Sequence, residues 1–214
     1  VDSYRERAAT IGMFPGQGSQ YVGMCESLYN EPGFNTFRET VDAAFDALPE
    51  GLEELPKLLF DRTCPDGAAL DATRLTQPSM FIIEIALARQ LEAWGLRFDA
   101  LIGHSVGEYA AATLAGVFDL GDALHLVAER GRLMQALPGG SMLTAGLTQN
   151  ALERRMPDSL DIAVVNAPDM TVVAGPTDSV VTFAQALEAD GVFCQVLRTS
   201  HAFHTRMMDP MLPD

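Results

Sequence analysis

The chain has 214 residues, 48% hydrophobic and 20% charged, a globular composition that suits one domain, or one domain with a small insertion, and not a disordered chain. Acidic residues outnumber basic ones by 29 to 14, for a formal charge of −15. A surface this acidic repels phosphate backbones, so no nucleic acid and no membrane is expected as a general partner, although a local basic patch could still receive an anionic ligand. Cys25, Cys64 and Cys194 are widely spaced, give no metal-ligand spacing, and read as free thiols in a reducing compartment. The start VDSYRERAAT is too polar for a signal peptide and no apolar run is long enough to span a bilayer, so a cytoplasmic chain without a metal is expected.

Residues 1–10 read as a linker from a longer polypeptide. A short strand follows (Ile11, Met13, Phe14) and stops at Pro15-Gly16, opening the loop PGQGSQ. Residues 24–60 predict helices broken at Pro32-Gly33 and at Pro49-Glu50-Gly51, and CPDGAALDA predicts a turn-rich surface loop. A helix is expected from about Gln77 to Trp94, with Pro78 in its first turn and Gly95 as its C-terminal cap. Ala100–Ile102 predicts a buried strand that runs into GHSVG and then an alanine-rich helix over 108–114. Strand, glycine turn and helix in this rhythm indicate a parallel α/β sheet. From Gly140 the rhythm changes. SMLTAGL, TQNALERRM (capped by Thr148), DIAVVNA, MTVVAG, TDSVVTFAQALEAD (capped by Thr177 or Asp178) and VFCQVLRT give β-α-β-β-α-β, the split ferredoxin-like pattern. The expected organisation is a core made of residues 1–140 and 201–214, with residues 141–200 as an inserted small subdomain.

Gly103-His104-Ser105-Val106-Gly107 has the form G-x-S-x-G, between an apolar strand and a helix. A serine on a sharp strand-to-helix turn exposes its hydroxyl, and the flanking glycines allow a backbone approach that a β-carbon would block. The following helix begins with unpaired N–H groups, so the Val106 amide can donate to an oxyanion. A serine needs a base. His104 neighbours Ser105 in sequence and points away, buttressing the turn; His125 lies mid-helix, structural or solvated. His201 and His204, in SHAFHT after the last strand, are both candidates, and spacing does not choose between them. Arg130 lies among Leu126, Val127, Leu133 and Met134 on an apolar helix stripe, so its charge needs a partner: an internal carboxylate, or a substrate carboxylate held bidentately.

With these residues in view, the sequence resembles the malonyl-CoA:acyl-carrier-protein transacylase family, and within it the acyltransferase domains of modular type I polyketide synthases. The resemblance rests on FPGQGSQYVGM (14–24), TQPSMF (76–81), GHSVGEYAA (103–111), LAGVFDLGDALHLVAERGRLMQ (114–135) and SHAFHTRMM (200–208). It implies an α/β-hydrolase-like parallel-sheet core carrying the ferredoxin-like insertion. It implies Ser105 as nucleophile, His204 as its base, and an oxyanion hole made by the Gln17 and Val106 amides, each donor worth on the order of 3 kcal/mol. It implies that Arg130 holds the free carboxylate of a malonyl unit and that Gln77, His201 and Phe203 line the same site. Malonyl-CoA would acylate the serine, and the phosphopantetheine thiol of an acyl carrier protein would take the acyl group, with no cofactor. Flanking synthase domains such as a ketosynthase are implied partners.

Within this family HAFH accompanies malonyl, whereas YASH accompanies methylmalonyl; Phe203 would fill the space an α-methyl needs, and Val106 fits the same type. One methyl is worth only about 1–3 kcal/mol of discrimination. Family members continue well past the second histidine of HAFH, so the C-terminal part of the core is expected to be missing from this chain. Two other classes stay open at this point. A serine esterase of the α/β-hydrolase type shares G-x-S-x-G but would need an acid on its histidine and has no use for Arg130; an inactive structural piece of a megasynthase would leave Ser105 unlabelled.

Overall fold

The computed structural model describes residues 9–64 and 67–213. Most of the expected linker, and the start of the CPDGAALDA loop at residues 65–66, lie outside the described residues. The chain divides into two compact units, with the boundary between Gly131 and Arg132.

In the first unit β1 (Ile11–Phe14) pairs in parallel with β2 (Ala100–Gly103). The helical stretch breaks at the two expected places, giving α1 (Glu26–Asn30), α2 (Asn35–Asp46) and α3 (Leu55–Phe60). Gly67–Asp71 forms a short 3-10 turn where a loop is expected. The central helix α4 (Thr73–Ala93) starts four residues before the expected Gln77, so Pro78 lies inside it. Pro78 has no N–H for the carbonyl four residues back. Hydroxyls help hold this turn: Thr76 Oγ1 donates to the Leu70 and Ala72 carbonyls (2.6 and 3.1 Å), and Ser79 Oγ to that of Leu75 (2.7 Å). The C-terminus is as expected. Gly95 adopts φ +94°, its amide donates to Glu92 O (2.9 Å) and that of Leu96 to Leu91 O (3.0 Å), a Schellman motif. α5 (Gly107–Leu114) and α6 (Leu120–Gln135) follow. Phe37, Phe81, Ile82, Ile85, Leu124 and Val127 are fully buried in this unit's core.

α4 also buries Glu84, whose two carboxyl oxygens have no hydrogen-bond partner among the described residues. Burial pushes its pKa from 4.5 up to about 8. The folded chain therefore holds a proton that the unfolded chain releases between those two values. Stability is unaffected by this group below pH 4.5, falls as pH rises from there to about 8, and then levels off. The full loss is on the order of 4–5 kcal/mol. Glu84→Gln should flatten this slope, read as urea midpoints at pH 5 and pH 8; an unchanged slope would assign it to another group.

The second unit holds β3 (Ser141–Ala145), α7 (Gln149–Glu153), β4 (Asp161–Ala167), β5 (Met170–Gly175), α8 (Thr177–Ala189) and β6 (Cys194–Val196). The antiparallel sheet runs β4-β5-β3-β6, with the first strand of the β-α-β-β-α-β unit beside its third and fourth, as the split pattern requires. Thr148 caps α7 as expected, its Oγ1 accepting from the Ala151 amide at 3.2 Å. α8 is capped at Pro176, not at Thr177 or Asp178, and the Thr177 hydroxyl bonds that of Ser141 instead (3.0 Å). The last strand is shorter than VFCQVLRT, because the Val192 amide is used to close the end of α8 on the Leu187 carbonyl (2.9 Å).

Leu143, Val173, Leu152, Phe183 and Leu187 pack on one face of this sheet. Met142, Val172 and Ala174 face the other way and meet Met134, Ala202, Phe203 and Met208. Residues 132–140 and 201–213 thus pack within the second unit. The cause is the alternation of the strands, which gives the sheet a second apolar face to cover. No described helix is long and apolar enough to cross a membrane.

Candidate active site

β2 ends at Gly103, and the His104 amide donates to the Phe14 carbonyl (2.8 Å), fastening the turn to the end of β1. Ser105 then adopts φ +55°, a left-handed conformation uncommon outside glycine. α5 begins two residues later. The glycines are required by contact: a β-carbon on Gly103 would lie 2.2 Å from the Glu108 amide nitrogen, and one on Gly107 2.2 Å from the Phe14 carbonyl oxygen. The strained serine between two obligatory glycines is the geometry that the G-x-S-x-G spacing predicts.

The PGQG loop lies against this elbow, since a β-carbon on Gly16 would come within 3.5 Å of Ser105 Cβ. Neither the Gln17 nor the Val106 amide, the two expected oxyanion donors, makes a hydrogen bond among the described residues. Arg130 reaches the same place. It donates to Gln77 Oε1 at 2.6 Å and to Ser105 Oγ at 3.4 Å. Its guanidinium lies over the Tyr109 ring, 5.7 Å from the centroid. Burial lowers the pKa of the guanidinium from its ordinary value and Tyr109 opposes that shift; an arginine stays charged through such a change. Among the described residues no carboxylate pairs with Arg130. The internal ion pair that spacing left open is therefore not what holds it. Leu126, expected on the same apolar stripe, is 43% exposed.

Gly131 explains how α4 and α6 come close enough for the Gln77–Arg130 contact. A β-carbon there would sit 3.0 Å from the Thr73 carbonyl oxygen, so a side chain would push the two helices apart by a few tenths of an ångström. Sequence reasoning passed over both Gly131 and Tyr109. The signal for Tyr109 was available: it stands four residues after Ser105, one helical turn on.

The second unit carries His201, Phe203 and His204. His201 is 4% exposed, its Nδ1 bonds Ser200 Oγ (2.7 Å) and its Nε2 the Leu137 carbonyl (3.1 Å). Both ring nitrogens are thus used within the fold. His201 supports its loop through these two bonds. Phe203 is buried, its ring 5.8 Å from that of His201. His204 is exposed and, with Ser105, is one of two described non-glycine residues at positive φ (+61°). Its turn is held from behind. Thr205 Oγ1 donates to Ala202 O (2.7 Å), and Arg206 donates to both carboxylate oxygens of Asp161 through Nε (2.8 and 3.0 Å). Hydrogen bonding to Arg206 holds the Asp161 carboxyl below its ordinary pKa.

Four arginines are candidates for a basic docking patch, and the structure separates them. Arg155 pairs with Asp190 and Arg206 with Asp161, Arg154 donates to the Asn150 carbonyl (3.1 Å), and Arg198 is exposed. His104 and His125 are both exposed. No group of three or more His, Cys, Asp or Glu residues that could hold a metal occurs among the described residues.

A fastened nucleophile elbow with a guanidinium beside it fits acyl transfer, and comparison with known proteins agrees. The chain belongs to the acyl transferase domain family, which matches residues 13–214. It is 40% identical over 207 residues to the mycoketide-CoA synthase of Mycobacterium tuberculosis, covering 96% of this chain and 5% of that protein. It is 41% identical over 209 residues to the polyketide synthase GfsA of Streptomyces halstedii, covering 94% of this chain and 3% of that one. Among solved structures, the acyltransferase domain from the second module of the salinomycin polyketide synthase superposes with a TM-score of 0.86 at 40% identity, covering 97% of this chain and 48% of that chain. The malonyl CoA-acyl carrier protein transacylase of Clostridium perfringens superposes with a TM-score of 0.80 at 28% identity, covering 95% and 65%. The chain therefore spans about half of the salinomycin domain and a small part of the curated synthases.

Proposed function

We propose that the chain moves a malonyl unit from coenzyme A to the phosphopantetheine thiol of an acyl carrier protein, in the cytoplasm, as the acyltransferase part of a polyketide synthase. The reading is carried by Arg130, a charged group beside the Ser105 hydroxyl whose described partners are all neutral. A guanidinium so placed is suited to the carboxylate of a dicarboxylic acyl group and has no counterpart in a neutral ester substrate.

Ser105 Oγ attacks the thioester carbonyl while its proton passes to His204; the other candidate, His201, has both ring nitrogens bonded to Ser200 and Leu137. The oxyanion receives the Gln17 and Val106 amides. Collapse of the tetrahedral adduct breaks the carbon–sulfur bond, the thiolate of coenzyme A takes the proton back from His204, and a malonyl ester remains on Ser105. The carrier-protein thiol then attacks that ester by the same steps in reverse order. No cofactor enters the scheme. A ketosynthase and other synthase domains are the proposed neighbours.

Intact mass after incubation with malonyl-CoA tests the reading. A malonyl adduct that maps to Ser105, outlasts removal of the thioester and is discharged by a carrier protein is the expected result. Rapid release of free malonate would make the chain a hydrolase, and faster labelling by methylmalonyl-CoA would overturn the malonyl assignment. A folded chain with no label on Ser105 would overturn the function.

A further inference from the structure

α5 starts at the elbow and carries a second side chain to the same place. Tyr109 stands four residues after Ser105, one helical turn on. The first turn of the helix fixes it. Its amide donates to the Val106 carbonyl (3.1 Å), and its carbonyl accepts from Thr113 Oγ1 (2.7 Å). Ala110 and Ala111 beside it are buried, and the Tyr109 side chain packs partly buried against the core of the first unit. The ring is therefore tied to the position of the nucleophile. The Arg130 guanidinium lies over it, 5.7 Å from the centroid, while donating to Gln77 Oε1 and Ser105 Oγ. α6 thus supplies the charge, and α4 and α5 supply its two supports, all within the first unit.

A guanidinium taken out of water needs something to offset its lost hydration. A carboxylate would do so, but it would cancel the positive charge, occupy the donor fork and repel an incoming anion. An aromatic ring attracts the cation through its quadrupole and leaves the charge uncancelled. Burial disfavours the charged guanidinium, and Tyr109 acts against that effect. Gln77, the other support, is neutral as well. An arginine stem has several rotatable bonds, so an aliphatic side chain at position 109 would leave the fork free to swing away from Ser105.

We propose that Tyr109 is a positioning residue that sets the preference for dicarboxylic over neutral acyl groups: its ring keeps the Arg130 fork turned toward Ser105 without competing for the substrate carboxylate. This rests on the reading of Arg130 as the partner of that carboxylate.

Two measurements on the 214-residue chain test it. In the first, Arg130 is modified with phenylglyoxal and the adduct is mapped by mass, which needs no acyl substrate. Tyr109→Leu should speed modification of Arg130 by about threefold or more, and Tyr109→Phe should leave it within about twofold. Arg198, exposed in the second unit, should react alike in all three proteins. In the second, malonyl and acetyl transfer are compared. Tyr109→Leu should lower kcat/KM for malonyl about tenfold, the size of a desolvated cation–π contact, and leave acetyl transfer within about threefold. Tyr109→Phe keeps the ring and should hold malonyl transfer within about threefold of the parent. On top of Arg130→Ala, Tyr109→Leu should cost less than about twofold more, because no guanidinium is left to position. Should Tyr109→Leu not fold, judged by its urea midpoint, Tyr109→Met takes its place.

Unchanged modification of Arg130 in the aliphatic variant overturns the proposal whatever the activities. So does equal loss of malonyl and acetyl transfer in that variant, a phenylalanine variant as poor as the aliphatic one, or a full tenfold cost on top of Arg130→Ala. Arg130→Ala losing both activities alike overturns instead the carboxylate reading on which the proposal rests. The modification rates, which involve no substrate, tell these two failures apart.

Discussion

Replacing Arg130 with alanine is expected to lower kcat/KM for malonyl transfer by about 10²–10³-fold, which corresponds to the roughly 3–4 kcal/mol expected for losing one partner of a buried, hydrogen-bonded charge pair. Acetyl transfer should be kept or should rise, because an acetyl group has no carboxylate and the shortened side chain removes a charge from its path. The split between the two substrates is the informative reading. Arg130 also bonds Gln77 and sits over Tyr109, so a purely structural role would damage both activities alike. Equal loss with malonyl and acetyl substrates would therefore end the carboxylate assignment. Arg130→Lys keeps the charge but not the planar fork, and should restore malonyl transfer only in part.

Gly107→Ala is expected to cost about 3 kcal/mol or more and to move the elbow off its place. The added β-carbon would lie 2.2 Å from the Phe14 carbonyl oxygen and 2.7 Å from that of Pro15, both backbone atoms of the strand end and loop beside Ser105. No flexible side chain is present to give way. Gly116→Ala is the control. Gly116 has φ +79° but open space around it, so it carries the conformational cost of about 1 kcal/mol without a clash. Urea unfolding of the two variants should separate them by about 2 kcal/mol or more. Equal costs would mean that the elbow can shift without penalty.

Much of this protein is legible locally. The G-x-S-x-G elbow is a five-residue requirement for backbone clearance, so the glycines around Ser105 state it by themselves. The β-α-β-β-α-β unit follows from strand and helix periods broken by turn residues, down to the Thr148 cap. Element ends were less secure where a side chain found a more distant partner, as with Thr177 on Ser141 and the hydroxyls around Pro78. Glu84 carried a sequence signal, a lone carboxylate in the apolar run MFIIEIALA, but that it is buried with neither oxygen bonded among the described residues is a matter of tertiary packing.

The chain order of motifs determined the family, singled out Ser105 as the candidate nucleophile and marked the β-α-β-β-α-β unit, because each rests on spacing within a few residues. Only the tertiary structure decided what Arg130 touches, since Gln77 lies 53 positions away and meets it through the close approach at Gly131. It also decided what His201 touches, closing both its nitrogens on Ser200 and on a carbonyl 64 positions back, at Leu137. Hydrogen bonds and burial between such distant segments are set by how sheets and helices stack, and no local pattern of residues encodes them.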